Sequence, residues 1–284
     1  MGIILEASHL TYGYDESSHA IEDLSIAFEE GKTTAILGAN GAGKSTLFLH
    51  LNGILQPEQG EVRFRGQPIS YKKAGLRQLR SKVGIVFQNP DDQLFSASVY
   101  QDISFGAVNM GLPVEEVHRR VETVMEQVGI TYLKDRPTHA LSFGQKKRVA
   151  FAGIMVMQPE VIILDEPTAG LDPKGRDEIL DQVAAFRKET GMTVILVSHS
   201  MEDIASFADK ILVMSNSRLF CYDETVKVFA RSKEISEIGL DVPQITKVFE
   251  KLKDRGLDFG KDVYTVEYAK NLLLKKLRGG TANC

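Results

Sequence analysis

The chain has 284 residues, 43% of them hydrophobic and 25% charged, which is typical of a soluble globular protein with a substantial core. Its formal net charge of −4 excludes a general basic field for nucleic acid, and its two distant cysteines show no disulfide or zinc spacing. It has neither an apolar run of the ~20 residues that span a bilayer nor a signal-peptide pattern, so we expect it to act from the cytoplasmic side.

The first half of the chain predicts short strands followed by long helical segments. Partial alternation of apolar residues indicates β-structure within residues 1–30. Further strands are predicted at residues 34–37, 62–64 and 83–87. Helices are predicted at residues 44–51, 98–129 and 141–157, with valines along one face of the second.

The second half predicts continuous apolar strands that alternate with helices. Strands are expected at residues 161–164, 193–197, 211–214 and 219–221, and a helix at 177–188. This alternation is typical of an α/β fold whose parallel sheet is covered on both faces. After about Asp223 only amphipathic helical patterns remain, which predicts a small helical extension at 224–284.

Residues 38–45 fit the phosphate-binding pattern G-x-x-x-x-G-K-[ST] between an apolar strand and a helix. The glycines let successive N–H groups point inward, and the helix start adds further donors. We expect Lys44 to reach the β- and γ-phosphates of a nucleotide and the Ser45 hydroxyl to bind Mg²⁺. The predicted nucleotide-binding residues of this phosphate loop are Gly38, Asn40, Gly41, Ala42, Gly43, Lys44, Ser45 and Thr46.

Two further patterns point to phosphate chemistry. Asp165 and Glu166 follow a continuous apolar strand, so we expect them at the sheet edge where α/β proteins bind ligands. Asp165 is then placed to reach Mg²⁺, and Glu166 to polarise an attacking water. Ser142 is a predicted N-cap, and the helix that follows it could present its first N–H groups to a phosphate held by another subunit.

The ordered set of motifs resembles the nucleotide-binding subunit of ATP-binding cassette (ABC) transporters, over residues 3 to about 225. Residues 141–145, Leu-Ser-Phe-Gly-Gln, correspond to that family's signature loop, L-S-G-G-Q, and residues 169–172 resemble its D-loop. The resemblance implies that two subunits pair head-to-tail, so that each ATP lies between one phosphate loop and the other subunit's signature loop. Ser142, Gly144, Gln145 and Asp172 are thereby implied to bind nucleotide.

The same resemblance implies three further site residues. Tyr14 corresponds to the aromatic that stacks on adenine, with Tyr12 as a weaker candidate. Gln88 corresponds to the glutamine that lies between Mg²⁺, the water and the membrane partner. His199 corresponds to the histidine that contacts the γ-phosphate. The implied catalytic set is Glu166, His199 and Gln88, and the implied Mg²⁺ ligands are Ser45, Gln88 and Asp165.

The implied fold is the P-loop NTPase fold of the ABC type. It has an N-terminal antiparallel β region, a helical subdomain at about 90–158 within a nucleotide-binding domain at 1–223, and the helical extension at 224–284. Phe143, residues 88–93 and the extension resemble the cobalt-type ATPases of energy-coupling factor (ECF) importers. This implies an ATPase that drives uptake of a micronutrient, cobalt or another transition-metal ion. A vitamin-importing ECF ATPase and a soluble non-transport ABC ATPase are the alternatives.

The implied partners are a second ABC ATPase, identical or related, a transmembrane coupling subunit and a substrate-binding membrane subunit. Nucleic acid is not expected, and the implied location is peripheral, on the cytoplasmic face of the cell membrane. Leu94 and Phe95 either line a groove for a membrane-subunit helix or belong to the core. Lys146, Lys147 and Arg148 are expected to form a solvated helix face.

Overall fold

A computed structural model describes residues 2–15, 18–259 and 263–279. The strands in chain order are β1 (Ile3–Asp15), β2 (Ser18–Glu29), β3 (Thr33–Gly38), β4 (Gln59–Phe64), β5 (Gln67–Pro68), β6 (Val83–Val86), β7 (Val161–Asp165), β8 (Thr193–Val197), β9 (Lys210–Ser215) and β10 (Arg218–Glu224). The helices are α1 (Lys44–Leu51), α2 (Lys73–Lys82), α3 (Val99–Asn109), α4 (Val114–Gln127), α5 (Phe143–Met155), α6 (Pro173–Thr190), α7 (Met201–Phe207), α8 (Thr225–Phe229), α9 (Ser232–Glu237), α10 (Gln244–Asp254) and α11 (Val266–Gly279).

The central sheet has the order β10-β9-β3-β8-β7-β6. Strands β9, β3, β8, β7 and β6 run parallel, and β10 pairs with β9 as an antiparallel edge. Every residue of β3, β6 and β8 is buried, as continuous apolar strands in a sheet covered on both faces require. The predicted α/β class with a parallel core is therefore confirmed.

A second sheet, of order β2-β1-β4-β5, forms the predicted antiparallel region near the N-terminus. Its inner face carries Leu5, Leu10 and Phe28, which pack in one cluster with Leu47 and Phe48 of α1. The helix that follows the phosphate loop is thus enclosed between the two sheets, and this burial fixes the direction of its N-terminus.

Helices α3, α4 and α5 cover the opposite face of the central sheet, with apolar residues such as Ile103, Val121 and Phe151 in one cluster. The helical stretch predicted at 98–129 divides into two helices. Gly111 adopts φ +78° and Pro113 is the N-cap of α4, so the chain turns between them. Helix α6 begins earlier than the predicted 177, because Asp172 caps it and Pro173 supplies its first turn.

The helices after β10 pack in two different ways. Val228, Phe229 and Ile235 of α8 and α9 share a cluster with Ala35 and other residues of the central sheet. Helices α10 and α11 form a separate small cluster around Phe249. Val248 of α10 is 48% exposed. The domain boundary at 223 stays a prediction. Among residues 2–15, 18–259 and 263–279, no helix is long and apolar enough to cross a membrane.

Candidate functional site

The predicted site residues meet along one edge of the central sheet. Parallel strands place their C-terminal ends on the same side, and four neighbouring strands each deliver one motif there. The phosphate loop follows β3 and His199 follows β8. Asp165 ends β7, with Glu166 next to it, and Gln88 lies two residues beyond β6. The topology therefore brings together groups from positions 38 to 199 of the chain.

The phosphate loop adopts a conformation that requires glycine at its second conserved position. Gly43 has φ +97°, and a Cβ there would lie 2.3 Å from the carbonyl oxygen of Ala20. No side chain caps α1, and its first turn carries no acidic residue. The first N–H groups of the helix are therefore free to bind an anion, as the positive end of a helix dipole favours.

The Lys44 amine is buried in the same loop. Its Nζ donates to the carbonyl oxygens of Gly38, at 2.8 Å, and Ala39, at 2.9 Å. Burial lowers the pKa of Lys44, whereas the nearby carboxylates of Glu166 and Asp165 raise it. The amine thus lies within electrostatic reach of both carboxylates, at the place where nucleotide phosphates would be held.

Glu166 is the most constrained residue of the site. It adopts φ +46°, an uncommon left-handed conformation, and its N–H donates to the carbonyl of Val197 at 2.9 Å. Its carboxylate oxygen Oε1 is buried without a hydrogen-bond partner. Burial raises the pKa of Glu166 to about 7, with the negative charge of Asp165 as the second cause. A buried carboxylate of raised pKa is a suitable proton acceptor at neutral pH.

His199 approaches this carboxylate from the loop after β8. Its Nε2 lies 3.6 Å from Oε1 of Glu166, while most of the imidazole is exposed. Burial, and then the positive charge of Lys44, lower the pKa of His199. The ring is therefore neutral at physiological pH, and it can donate or accept a hydrogen bond according to its tautomer.

The residues predicted to bind Mg²⁺ offer the oxygen donors that this hard cation prefers. Asp165 is half-buried at the end of β7, while Ser45, in the first turn of α1, and Gln88 are exposed. Burial raises the pKa of Asp165, and Lys44 and Lys147 lower it. A carboxylate that is partly withdrawn from water, beside a glycine cradle built for phosphates, fits a Mg²⁺–nucleotide complex.

Tyr14 lies near the end of β1 with its ring largely exposed, next to the phosphate-loop helix. Its hydroxyl is 3.4 Å from Oγ1 of Thr46. Tyr12 packs edge-on against Tyr14, with ring centroids 5.2 Å apart, and its other edge meets the buried His50 at 4.8 Å. Tyr14 therefore has the exposed ring, and Tyr12 packs against it.

The signature loop (residues 141–145) lies at the start of α5. The Ser142 hydroxyl accepts from the Gln145 N–H at 3.4 Å, and the Gln145 side chain accepts from the Ser142 N–H at 2.9 Å, which forms a capping box. Among the described residues, no hydrogen bond links this loop to the phosphate loop of the same chain. The Phe143 ring instead packs on Gly170, where a Cβ would come within 2.8 Å of Cε1.

The prediction of a solvated helix face at residues 146–148 is wrong for Lys147. Its side chain is buried, and its Nζ donates to the carbonyl oxygens of Glu166 and Pro167. The neighbouring lysine, Lys146, pairs with Asp91 at 2.6 Å. A run of three basic residues resembles a surface pattern, and the sequence carries no signal that the middle one turns inward.

Asp172, predicted to bind nucleotide, caps α6 here by accepting from the Gly175 N–H at 2.7 Å. A polar network that the motifs did not reveal holds the segment between Glu166 and Asp172. Thr168 donates to Asp203 at 2.9 Å, and Arg176 donates to the other oxygen of that carboxylate at 2.7 Å. Arg176 also donates to Ser200, next to His199, at 2.9 Å. This network ties the segment after Glu166 to the His199 loop.

A groove of about 940 Å³ separates α2 from α3 and α5. Phe87, Phe95 and Phe105 supply aromatic surface, and Arg77 and Arg80 supply positive charge.

The sequence left open whether Leu94 and Phe95 line a groove or belong to the core, and the structure places them differently. Leu94 packs against the core, whereas Phe95 is 65% exposed and lines the groove. The segment itself is held to α5, because the Gln93 amide donates to the Ala150 carbonyl at 3.1 Å.

Comparisons with known proteins agree with this geometry. The family model described as ABC transporter matches residues 21–169. The energy-coupling factor transporter ATP-binding protein EcfA3 of Clostridium perfringens is 48% identical over 252 residues, covering 89% of this chain and 88% of its own length. EcfA2 of Clostridium acetobutylicum is 44% identical over 279 residues, covering 96% of this chain and 98% of its own.

Among solved structures, cbiO1 from Clostridium perfringens, part of the ABC transporter complex cbiONQ, superposes with a TM-score of 0.76. It is 48% identical, and the match covers 88% of this chain and all of that one. The fold is thus the P-loop NTPase fold of ABC cassettes, and the enzyme is an ATPase. The chain belongs to the ABC transporter family, in the group of energy-coupling factor transporter ATP-binding proteins.

Proposed function

We propose that this ATPase hydrolyses ATP in a composite site, completed by a second ABC ATPase subunit, and that the cycle drives import through a membrane complex. The observation that carries the proposal is the separation of the two phosphate-binding elements. The phosphate loop, Glu166 and His199 share one sheet edge, whereas the signature loop packs on Gly170 and, among the described residues, makes no hydrogen bond to the phosphate loop of its own chain. A second subunit, identical or related, would supply the missing signature loop.

In this proposal Tyr14 stacks on adenine, and the phosphate loop encloses the phosphates. The free N–H groups at the start of α1 and the Lys44 amine supply positive electrostatic potential there. Ser142, Gly144, Gln145 and Asp172 would contact the nucleotide held by the opposite subunit. ATP would favour the closed pair more than ADP does, because only ATP carries the γ-phosphate that bridges the interface.

For hydrolysis, the Glu166 carboxylate, whose pKa burial raises to about 7, would orient the attacking water and accept a proton as the water attacks. His199, 3.6 Å from Oε1 of that carboxylate, would contact the γ-phosphate, and Lys44 would stabilise the developing charge. Gln88 would lie between the water and the membrane partner. Mg²⁺, when held by Ser45, Asp165 and Gln88, supplies charge neutralisation at the phosphates.

The groove beside α2 is where we place the membrane coupling subunit. Its aromatic wall includes the exposed Phe95, and Phe95 follows directly on the segment that begins at Gln88. Gln93 connects that segment to α5, the helix that carries the signature loop. A helix seated in the groove would therefore be in mechanical contact with both halves of the ATP site. We accordingly propose a peripheral location on the cytoplasmic face of the membrane.

For the substrate we propose a micronutrient, with cobalt or another transition-metal ion first. The Leu-Ser-Phe-Gly-Gln signature loop and the similarity to cbiO1, part of the cbiONQ complex, support this choice. A vitamin is the second candidate, because the relatives carry the broader name energy-coupling factor transporter ATP-binding protein. Uptake of radiolabelled cobalt and of labelled vitamins by cells with and without this chain distinguishes the two.

The composite site is tested by dilution. Specific ATPase activity is measured over a range of protein concentrations, with the full-length chain alone and with the ATPase subunit that copurifies from solubilised membranes. We expect the activity per subunit to fall as the pair dissociates. Activity that stays constant far below the concentration at which pairs form would show that one subunit suffices, and it would overturn the proposal.

A further inference from the structure

Lys147 is a buried lysine to which no motif assigns a role. It lies in the first turns of α5, two residues after the signature loop, and is only 3% exposed. Its Nζ donates to the carbonyl oxygen of Glu166 at 2.8 Å and to that of Pro167 at 3.0 Å. Burial of an ammonium group is unfavourable by several kcal/mol unless charges and hydrogen bonds compensate for it. Here the compensation comes from the loop that carries Glu166.

The electrostatic environment of Lys147 consists of the site's own carboxylates. Burial lowers the pKa of Lys147 to about 8, while Glu166 and Asp165 act in the opposite direction. The amine remains protonated at neutral pH as a result. It is thus a second cation, besides Lys44, within electrostatic reach of both carboxylates.

Glu166 depends on its backbone for its position. A left-handed conformation is unfavourable by about 1–2 kcal/mol for a residue with a side chain, so surrounding contacts must hold it. The Glu166 N–H is fixed on the Val197 carbonyl, and its own carbonyl accepts from Lys147 and from the Ala169 N–H at 3.1 Å. Its buried carboxylate oxygen Oε1 has no hydrogen-bond partner, so these backbone contacts carry much of the positioning.

Lys147 also lies next to a residue of the signature loop. The Lys147 amine lies 5.4 Å from the centroid of the Phe143 ring, and that ring packs on Gly170. Gly144 packs on the same segment, where a Cβ would meet Leu171 at 3.4 Å. The signature loop is therefore in direct contact with the residues that follow Glu166.

We propose that Lys147 is a positioning residue for ATP hydrolysis, which holds the backbone of Glu166 and Pro167 so that the Glu166 carboxylate faces the attacking water. The inference rests on the role of Glu166 in the proposed function. Through Phe143 and Gly170 the same lysine connects that carboxylate to the signature loop, which would contact the other subunit's nucleotide. One side chain therefore links the two ATP sites of a pair.

The test is a double-mutant cycle on the full-length chain, with the variants Lys147→Met, Glu166→Gln and both together. Rates are expressed per ATP-binding site counted in the same sample, so a partly folded preparation still gives kcat. Lys147→Met should lower kcat by about 10- to 100-fold, as loss of a supporting contact does, and leave the KM for ATP within about 3-fold. In the Glu166→Gln background it should have no further effect, because the carboxylate it positions is gone.

The matched control is Lys188→Met, which removes the same charge from an exposed position near the end of α6. Its kcat should stay within about 2-fold of wild type, as for most exposed surface substitutions. If Lys147→Met does not fold, Lys147→Gln, which keeps an N–H donor, is carried through the same cycle.

Three outcomes would overturn the inference. An unchanged kcat in Lys147→Met, an equal loss of rate in both Glu166 backgrounds, or a rise in KM as large as the fall in kcat would each indicate a merely structural lysine. A wild-type rate in Glu166→Gln alone is a separate result, because it would overturn the proposed role of Glu166 itself.

Discussion

Nε2 of His199 lies 3.6 Å from the buried Oε1 of Glu166, beyond hydrogen-bonding distance, and that oxygen has no other hydrogen-bond partner. The two groups come from the adjacent strands β8 and β7, so their spacing follows from the register of the sheet. The exposed imidazole edge is available to a phosphate, and the raised pKa of the buried Glu166 carboxyl suits it to accept a proton. In the proposed function both groups act on the same ATP.

Glu166→Gln should retain ATP binding and lose hydrolysis. The amide has the same shape but cannot accept a proton, so we expect the single-turnover rate to fall by at least about 100-fold. The bound ATP should persist and favour a paired state in size-exclusion chromatography. Glu160→Gln, at the other end of β7, is the control and should keep normal turnover. A monomeric elution profile for Glu166→Gln with ATP would contradict the expectation.

Lys44→Ala should abolish turnover and weaken ATP binding. The amine is held by two loop carbonyls within electrostatic reach of Glu166 and Asp165, and its loss removes a charged donor for phosphate. A charged hydrogen bond contributes about 1.5–3 kcal/mol, so the Kd for ATP should rise by about 10- to 100-fold. Equilibrium binding of a fluorescent ATP analogue measures this. Lys188→Ala, on the exposed end of α6, should leave both quantities unchanged, and a normal ATPase rate in Lys44→Ala would refute the assignment.

Tyr14→Ala should raise the KM for ATP by about 5- to 100-fold with little change in kcat, because stacking on a base contributes about 1–3 kcal/mol. Tyr14→Phe is the matched control: it keeps the ring and removes the hydroxyl that lies 3.4 Å from Oγ1 of Thr46. Steady-state kinetics over ATP concentration should give a wild-type KM for the Phe variant. If the Ala variant also has a wild-type KM, Tyr14 does not contact the base.

The meeting of the site residues at one sheet edge was predictable from the local sequence pattern. Apolar runs that end at Asp165 or just before His199 indicate buried strands, and the C-terminal ends of parallel strands share one edge, so the meeting of their motifs follows. The two helices in place of one continuous stretch at 98–129 depend on the left-handed backbone of Gly111. A proline is favoured at the start of a helix, so Pro113 already indicates a second helix, and this break could have been predicted from the sequence.

The inward turn of Lys147 and the conformation of Glu166 were not predictable. A lysine between Lys146 and Arg148 resembles a solvated run, and only the packing of α5 against the end of β7 buries it. The φ of +46° at Glu166 likewise results from contacts with Val197, Lys147 and Ala169, which lie elsewhere in the chain or in the following turn. Such positions are set by tertiary contacts, and no periodicity or motif records them.

Gly43→Ala should destabilise the fold and disrupt the phosphate loop. A methyl group there would sit 2.3 Å from the Ala20 carbonyl oxygen, in a backbone with φ +97°. The left-handed strain and the overpacking together should lower the free energy of unfolding by about 2–5 kcal/mol. Denaturant titration measures this loss, and ATP binding should be lost with it because the loop must open to relieve the contact.

The variant Gly111→Ala distinguishes the effect of backbone strain on stability from the effect of a close atomic contact. Gly111 has φ +78°, but a Cβ there would meet no atom within 4 Å, and it lies between α3 and α4, away from the phosphate loop. We expect a loss of only about 1–2 kcal/mol and normal ATP binding. Equal losses in the two variants would mean that backbone strain alone accounts for both. The close approach of Ala20 would then not be what makes glycine necessary at the start of α1.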